Sequence, residues 1–182
     1  MFESDSTLQK LLDSGMISIE NLDRTYIRPA SIDLTVSAVV CESIAGSEEI
    51  NSDTTYDSIK SAFNEHNIGD KFILKPSSSV ICRTKEIITI NSDNIGFLVN
   101  RNSLVRLGIS VSVSIVNPGY SGFLPFILRN ESNFNFSFKE GDRLCQLVIA
   151  ETKPVNEHYG MRDDSKYVNN NSMLSLYNKD KK

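Results

Sequence analysis

Short strand patterns follow one another through the middle of this chain, and they limit the possible folds more than any other feature. Strand-like runs cover residues 71–74, 79–83, 87–90 and 96–99. Turn residues separate them, first Pro76-Ser77 and then Asn91-Ser92-Asp93-Asn94. Many short strands at such spacing are typical of all-β domains, so we predict a β-sandwich, jelly roll or barrel.

The start of the chain predicts a short helix followed by two strands. Ser6-Thr7-Leu8-Gln9 matches a capping box and Gly15 a helix stop, so we expect a helix over residues 7–14. Ile17-Ser18-Ile19 alternates as a strand does, and residues 26–36 carry a second strand pattern.

The second half continues the strand pattern to about residue 150. Residues 123–128 are nearly all apolar and predict a strand that is buried on both faces. A turn at residues 140–143 leads into another strong strand at 144–149. From Pro154 onward the composition is polar, and we expect a tail that a ligand or a neighbouring subunit orders.

Residues 42–67 interrupt the strand pattern with many Ser, Asp, Glu and Asn residues. Tyr56, Ile59, Lys60 and Phe63 are spaced for about one and a half helical turns. We expect a partly mobile surface insertion here. We therefore treat residues 1–182 as one domain with a helical arm (1–25), this insertion (42–67) and a flexible tail (155–182).

Composition excludes several classes of protein. The net charge of -4 argues against a nucleic-acid partner, which usually requires a basic face, but a few local arginines are enough for a small anion. No apolar run is long enough for a membrane span, and no signal peptide is evident, so we expect a soluble cytoplasmic protein. Cys41, Cys82 and Cys145 are scattered, which predicts reduced and mostly buried thiols.

Residues 100–122 hold the strongest functional signal. Arg101-Asn102-Ser103, Arg106 and Gly108 supply the cations, hydroxyls and free amides that a phosphate site needs. A strand follows in which Val111, Val113 and Ile115 alternate with serines, and a turn at 117–122 ends it. A bent hairpin of this kind predicts a surface on which a small planar ligand can rest.

The chain resembles the dCTP deaminase and dUTPase superfamily, and the deaminase branch in particular. Six stretches carry the resemblance, and they occur in the family's order: Ile27-Arg28-Pro29-Ala30-Ser31-Ile32-Asp33-Leu34, Phe72-Ile73-Leu74-Lys75-Pro76, Asn102-Ser103-Leu104-Val105-Arg106-Leu107-Gly108, Asn117-Pro118-Gly119-Tyr120-Ser121-Gly122, Gly141-Asp142-Arg143-Leu144-Cys145-Gln146-Leu147 and Asp164-Ser165-Lys166-Tyr167-Val168-Asn169.

The resemblance implies a distorted β-barrel or jelly-roll subunit, assembled as a homotrimer with active sites between subunits. The ligand would be a deoxynucleoside triphosphate, dCTP or dUTP, over which the C-terminal tail closes. Mg²⁺ would be held by the triphosphate rather than by a protein metal site.

The resemblance also assigns roles to individual residues. Arg101, Asn102 and Ser103 would contact the phosphates, Arg106 would lie near the reacting end of the ligand, and Tyr120 would lie against the deoxyribose. The remaining phosphate and lid contacts would come from Gln146, Lys166, Tyr167 and Asn170.

Simpler interpretations exist for several of these residues. Arg106 could pair with a carboxylate at a subunit contact, and Tyr120 could pack on the core. Lys166 could be solvated in its charged tail, and Asp33 is better explained as a structural hydrogen-bond acceptor than as a catalytic group. Neither His66 nor His158 is assigned a ligand role.

Two positions depart from the family where chemistry would occur. Ile127 stands where the deaminases place the Glu that activates water, and Asn117 stands where the dUTPases place an Asp. Ile cannot transfer a proton, and Asn is a very poor base. The hairpin between Gly108 and Asn117 is also about two residues shorter than the deaminase pattern. We count Arg106, Ser103, Asn117 and Ile127 as the catalytic positions, the last two of them degenerate.

Three hypotheses remain open from sequence. The first is a dCTP deaminase that releases ammonia and also, in one variant, hydrolyses dUTP. The second is a trimeric relative without catalytic activity that binds a nucleotide or a partner in a regulatory role. The third is a dUTPase, which the absence of a Gly-rich lid in the tail disfavours.

Overall fold

A computed structural model describes residues 1–46, 49–51, 53–162 and 173–174 of the chain. The helices are α1 (Asp5–Asp13), α2 (Tyr56–Ser61) and α3 (Asn102–Val105), with short 3₁₀ helices at Arg24–Tyr26 and Tyr159–Met161. The strands are β1 (Ile17–Glu20), β2 (Ile27–Arg28), β3 (Ser31–Ser43), β4 (Phe63–Asn67), β5 (Phe72–Leu74), β6 (Ser78–Thr84), β7 (Ile87–Ile90), β8 (Asn94–Asn100), β9 (Ile109–Val111), β10 (Ser114–Val116), β11 (Ser121–Gly122), β12 (Pro125–Asn130), β13 (Phe136–Phe138) and β14 (Arg143–Glu151).

The main sheet is strongly curled. Its strand order is β10-β8-β14-β3-β6-β12-β9, and β2 and β4 also pair with β3. The two end strands, β9 and β10, are consecutive in the chain and are joined only by Ser112 and Val113. Since a link of this length spans only about 10 Å, the sheet must curl until its opposite edges approach each other. This confirms the all-β, dUTPase-like barrel that the sequence predicts.

Two small sheets complete the fold. The first has the order β1-β7-β11, so β7 lies between β1 and the short strand β11 in the turn that follows the hairpin. The second pairs β13 with β5, with Phe138 opposite Phe72. The predicted strands at 17–19, 71–74, 79–83, 87–90, 96–99 and 144–149 are all present.

Strand β3 connects two halves of the main sheet. Its first part pairs with β14 and its later part with β6 and β4. Where the pairing changes, the buried Glu86 carboxylate accepts the backbone N–H of Thr35 at 3.0 Å and its hydroxyl at 2.6 Å. The Glu86 carboxylate thus provides a hydrogen-bond acceptor for the Thr35 N–H, which has no acceptor on β14. Burial raises the pKa of Glu86, although the hydrogen bonds from Thr35 oppose that shift.

The core lies inside the curl of the main sheet. Its largest fully buried side chains come from α1 and from strands of all three sheets: Leu8, Ile17, Ile32, Leu34, Leu74, Ile88, Ile90, Leu98, Ile109, Leu128, Leu147 and Ile149. Cys41, Cys82 and Cys145 are free and buried, as predicted for reduced thiols.

The structure corrects three predicted elements. Helix α1 begins at Asp5, because Ser4 rather than Ser6 is its N-cap and accepts from the backbone of Thr7. Phe63–Asn67 of the expected insertion forms β4, paired with residues 39–43 of β3. Strand β12 is buried on one face only, since Pro125 and Ile127 are half-buried and Arg129 is exposed.

The alternating serine and valine stretch is also not one continuous strand. It turns a corner at Ser112 and Val113, where the chain leaves β12 and joins β8. Val111 before the corner is buried, but Val113 and Ile115 are 63% and 60% exposed. An alternation predicts burial only while the strand keeps the same neighbours, and here the neighbours change.

Helix α1 has nine residues and is polar on average. No helix within the described ranges has the length and apolar character that crossing a bilayer requires.

Candidate functional site

The predicted phosphate loop is a tight turn that connects β8 to β9. Arg101 is the N-cap residue of α3, and its carbonyl accepts the N–H groups of Leu104 and Val105. Leu104 is buried and fastens the loop to the core. Gly108 ends it with a φ of +73°, and a Cβ there would lie 3.2 Å from the Ser132 backbone nitrogen. The loop therefore requires glycine at this position.

Arg101 points inward from this loop. Its Nε lies 3.3 Å from Asp33 Oδ1, and its Nη1 donates to the Arg143 carbonyl at 2.7 Å. These contacts join the loop to β3 and β14. Two of the three Arg101 guanidinium nitrogens are therefore engaged within the chain, and the guanidinium is held in a fixed orientation.

Asp33 is the centre of this part of the site. Its carboxylate, only 2% exposed, accepts Arg28 Nε at 3.0 Å, Arg143 Nη1 at 3.1 Å and Gln146 Nε2 at 2.9 Å. Burial by itself would raise the pKa of Asp33, but hydrogen bonds from Gln146 and Arg28 and the charge of Arg101 outweigh it and lower the pKa. Asp33 thus has the contacts of a structural acceptor, in line with the non-catalytic interpretation.

Arg143 and Gln146, two of the residues that donate to Asp33, each make one further contact. The Arg143 guanidinium lies 4.9 Å from the centroid of the Tyr26 ring, at a point where β14 carries a bulge against β3. Gln146 also donates to the Ser31 hydroxyl at 3.3 Å. The Gln146 amide, which the resemblance assigns to the nucleotide, is directed toward β3 in this chain.

The other residues of the loop face outward. Asn102, Ser103 and Arg106 are all exposed. Across the part of the chain that the structure describes, the Arg106 side chain has neither an ion pair nor a hydrogen bond. With respect to those residues its five donors are free for a ligand, so the loop combines one fixed guanidinium with one free guanidinium.

Ile127 lies beside the corner of the hairpin. Its backbone N–H donates to the Ser112 hydroxyl at 2.9 Å, and its carbonyl accepts the Ser112 N–H at 2.9 Å. Its partner across the strand pair is Ile81 on β6. The position where the deaminases carry Glu is therefore next to the predicted base-binding hairpin, and here it is apolar.

Glu131 and Glu140 are two carboxylates that could in principle serve in place of the missing Glu, but neither lies beside Ile127. Glu131 follows the end of β12, where its N–H donates to the Gly108 carbonyl at 2.8 Å, which places it at the far end of the hairpin. Glu140 pairs with Lys85 at 3.0 Å on the surface. Ile127 lies beside the hairpin, and neither of the residues bonded to it or paired with it, Ser112 and Ile81, is acidic.

The turn after the hairpin is built from its glycines and Tyr120. Gly119 has a φ of +81° and donates to the Ile90 carbonyl at 3.0 Å. Tyr120 is buried, and its hydroxyl donates to the Phe123 carbonyl at 2.6 Å. These contacts are the ones expected of a core-packing tyrosine, and a deoxyribose contact stays a prediction. Asn117 is exposed at the start of the turn.

Sequence reasoning missed the residues that cover this turn. The Tyr159 N–H donates to the Pro118 carbonyl at 2.8 Å, and the Tyr159 ring lies 6.0 Å from the Tyr120 ring. His158 packs on Gly119, and its Nδ1 is a buried atom with no hydrogen-bond partner among the described residues. In the sequence, only the run His158-Tyr159-Gly160 within the polar tail could have indicated this contact.

Three predicted nucleotide contacts, Lys166, Tyr167 and Asn170, lie outside the described residues. Within the described ranges, no group of three or more His, Cys, Asp or Glu side chains is arranged to hold a metal ion.

Comparisons with known proteins give one consistent result. A profile described as dCTP deaminase-like matches residues 2–152. The chain is 31% identical over 174 residues to a dCTP deaminase of Natronomonas pharaonis, covering 92% of this chain and 89% of that protein. It is 29% identical over 179 residues to a dUMP-forming dCTP deaminase of Mycobacterium avium, covering 92% and 90%.

Solved structures agree on the fold. The crystal structure of the 2'-deoxycytidine 5'-triphosphate deaminase from Agrobacterium tumefaciens matches with a TM-score of 0.64 at 20% identity, over 81% of this chain but only 46% of that chain. A point mutant of the dUTPase from phage phi11 of S. aureus matches with a TM-score of 0.50 at 14% identity, over 78% of this chain and 97% of that one.

Proposed function

Because this chain belongs to the dCTP deaminase-like family, we propose that it binds a pyrimidine deoxynucleoside triphosphate, dCTP or dUTP, and does not deaminate it. One observation carries the proposal. The residue beside the hairpin where the family's water-activating Glu would stand is Ile127, flanked by Ser112 and Ile81.

Binding is supported by the phosphate loop. Arg106 is exposed, and Asn102 and Ser103 are exposed beside it. Arg guanidinium groups bind phosphate oxygens in a bidentate geometry that Lys cannot copy. Magnesium would accompany the triphosphate, because Mg²⁺ prefers phosphate oxygens and water to an all-protein site.

Loss of the reaction is supported by what deamination requires. Water attack on the base needs a group that accepts a proton and returns it to the departing ammonia. An Ile at that position removes the group entirely, which typically costs about a hundredfold to ten-thousandfold in rate. Asn117 cannot replace it, since an amide is a very poor base.

An active dCTP deaminase is the second candidate, and the names of the relatives favour it. The chain is 31% identical to a protein called dCTP deaminase over nearly its whole length. A dUTPase is a weaker third candidate, because Asn117 stands at that branch's Asp position. All three candidates belong to deoxynucleotide metabolism.

We also propose that the working unit is a homotrimer. The hairpin and loop expose apolar side chains that would be covered in an assembly: Val105, Leu107, Val113 and Ile115. Because the family's sites lie between subunits, residues from a neighbouring copy would complete the ligand site.

The deciding experiment measures binding and turnover in the same sample. Purified protein is mixed with Mg²⁺ and either dCTP or dUTP, and ammonia and pyrophosphate are followed alongside melting temperature. We expect a rise in melting temperature with both nucleotides and no product. Ammonia release from dCTP at a turnover typical of enzymes would show an active deaminase, and no nucleotide effect at all would refute binding.

A further inference from the structure

A second apolar cluster lies outside the main core, and the C-terminal region of the chain takes part in it. Met173 and Leu174 are 5% and 7% exposed, and they are buried together with Cys41 and Phe123. Four partly buried side chains pack against the cluster: Val39, Tyr56, Phe63 and Ile81.

The surface beneath Met173 and Leu174 is built from the segment that sequence analysis describes as an insertion. Tyr56 begins α2, and Phe63 begins β4. Strand β4 is paired with β3 from Val39 to Ser43, so Cys41 and Phe63 belong to one continuous piece of sheet. The segment is therefore fixed to the main sheet and presents an apolar face there.

Other contacts hold the opposite wall of this surface. Phe123 lies under the Arg83 guanidinium, whose carbon is 4.5 Å from the ring centroid. Ile81 belongs to β6, which pairs with both β3 and β12. Both sides of the surface are thus held by strand pairing or a cation–π contact, and two side chains of the same chain fill it.

We propose that Met173–Leu174 is an intrachain anchor, and that residues 56–63 together with Val39, Cys41, Ile81 and Phe123 are its receptor. The insertion then has a role, which is to hold the C-terminal region on the chain's own body. This proposal does not depend on nucleotide binding, because none of its contacts involves the phosphate loop.

The chain itself is the occupant because both side chains reach near-complete burial without a second copy. An apolar partner of another kind would have to displace two seated side chains first. The same segment of a neighbouring copy is the main alternative, and the second test below distinguishes it.

Cys41 provides a direct readout of anchoring. The thiol is fully buried in the cluster, and burial, followed by the charge of Glu65, raises its pKa to about 11. Cys82 and Cys145 lie in the main core instead. If the anchor shields Cys41, then releasing the anchor exposes this one thiol and leaves the other two buried.

The first test measures maleimide labelling of each cysteine by peptide mass spectrometry. We expect Met173→Ser to label Cys41 about tenfold faster or more, with Cys82 and Cys145 unchanged. Met161→Ser is the matched control, because Met161 is in the same region but 68% exposed, and it should change nothing. Unchanged Cys41 labelling in Met173→Ser and in Leu174→Ser would overturn the proposal.

The second test is independent of whether a serine variant folds. Under mild oxidation, Met173→Cys or Leu174→Cys should form a disulfide with Cys41 inside one chain, seen as a monomer of altered mobility on a non-reducing gel. The bond should vanish when Cys41→Ser is added. A disulfide-linked dimer would show that a neighbouring copy supplies the segment. No bond in either variant, together with unchanged Cys41 labelling in the first test, would show that there is no anchor.

Discussion

The backbone N–H of Ile127 donates to the side-chain hydroxyl of Ser112 across 2.9 Å. This bond, with the return bond from the Ser112 N–H, fastens β12 to the corner of the hairpin. Because backbone atoms supply three of the four bonded groups, the location of residue 127 does not depend on its side chain. A different residue at 127 would therefore occupy the same place beside the hairpin.

The first prediction is that a base can be restored there. We expect Ile127→Glu combined with Asn117→Asp to release ammonia from dCTP at least about a hundredfold faster than the wild-type chain, since it replaces the missing proton acceptor. The half-buried position leaves access to solvent for the new carboxylate. Ile127→Gln with the same second change is the control, and equal activity in the control would mean that the carboxylate is not acting as a base.

The second prediction separates the two arginines of the phosphate loop. Arg106→Lys should leave the free energy of unfolding within about 0.5 kcal/mol, because the Arg106 side chain has no partner among the described residues, yet weaken triphosphate binding about tenfold. Arg101→Lys should cost about 1–2 kcal/mol of stability, because it loses contacts to Asp33 and the Arg143 carbonyl. Urea unfolding and calorimetric binding measure both quantities. The reverse pattern would contradict this assignment.

The third prediction concerns acid stability and Asp33. Its lowered pKa stabilises the fold above the unfolded value of about 3.9, and that contribution is lost as pH falls through the lower folded value. Asp33→Asn should cost about 2–3 kcal/mol at pH 7, allowing for three arginines that are each partly exposed.

We expect the difference between wild type and Asp33→Asn to shrink as pH falls below about 4, because Asp33 of the unfolded chain is protonated first and folded Asp33 only at its lower pKa. Urea unfolding at several pH values measures it. Asp13→Asn, which removes an exposed pair with Arg24, should change stability by less than about 0.5 kcal/mol throughout. If the free energies of unfolding of wild type and Asp33→Asn differ by a constant amount across this pH range, Asp33 does not carry the negative charge assigned to it.

The fourth prediction compares two glycines with nearly the same positive φ. Gly119 and Gly141 have φ values of +81° and +84°. An added Cβ meets nothing within 4 Å at Gly141 but would lie 2.6 Å from His158 Nδ1 at Gly119. Gly141→Ala should cost only the conformational strain of about 1–2 kcal/mol, and Gly119→Ala should cost at least about 1 kcal/mol more.

A double-mutant cycle tests the cause of the extra cost. Adding His158→Gly to Gly119→Ala should remove most of it, because the imidazole and the His158 Cβ, which would lie 2.8 Å from the added Cβ, are then both absent. Strictly additive effects would show that His158 does not press on the turn. Thermal or urea unfolding of the four chains is sufficient.

Much of the fold could be predicted because strand alternation depends on local sequence. Ile17 to Ile19 and residues 87–90 lie where the pattern puts them. The corner at Ser112 and Val113 could not be predicted, since the side chains keep alternating while the neighbouring strands change. The Ser4 cap was missed because two serines compete within the same few residues.

The sequence predicts residue types for the site but not their contacts. Arg101, Arg106 and Ile127 are predicted as site residues because they align with family motifs. The sequence does not indicate that Gln146 and Asp33 meet, since they are 113 residues apart and their pairing depends on the strand order. The same reason hides the contact of Tyr159 with Tyr120, which joins the tail to a distant turn.

The central place of β14 has a consequence for synthesis of the chain. Both of its edges are paired, to β3 and to β8, yet it is the last strand of the described chain to leave the ribosome. Until residues 143–151 emerge, β3 and β8 each keep an open edge, and the curl cannot close. Folding is therefore expected only after residues 143–151 have emerged, and a nascent chain stalled before this strand would expose unpaired edges that chaperones must protect.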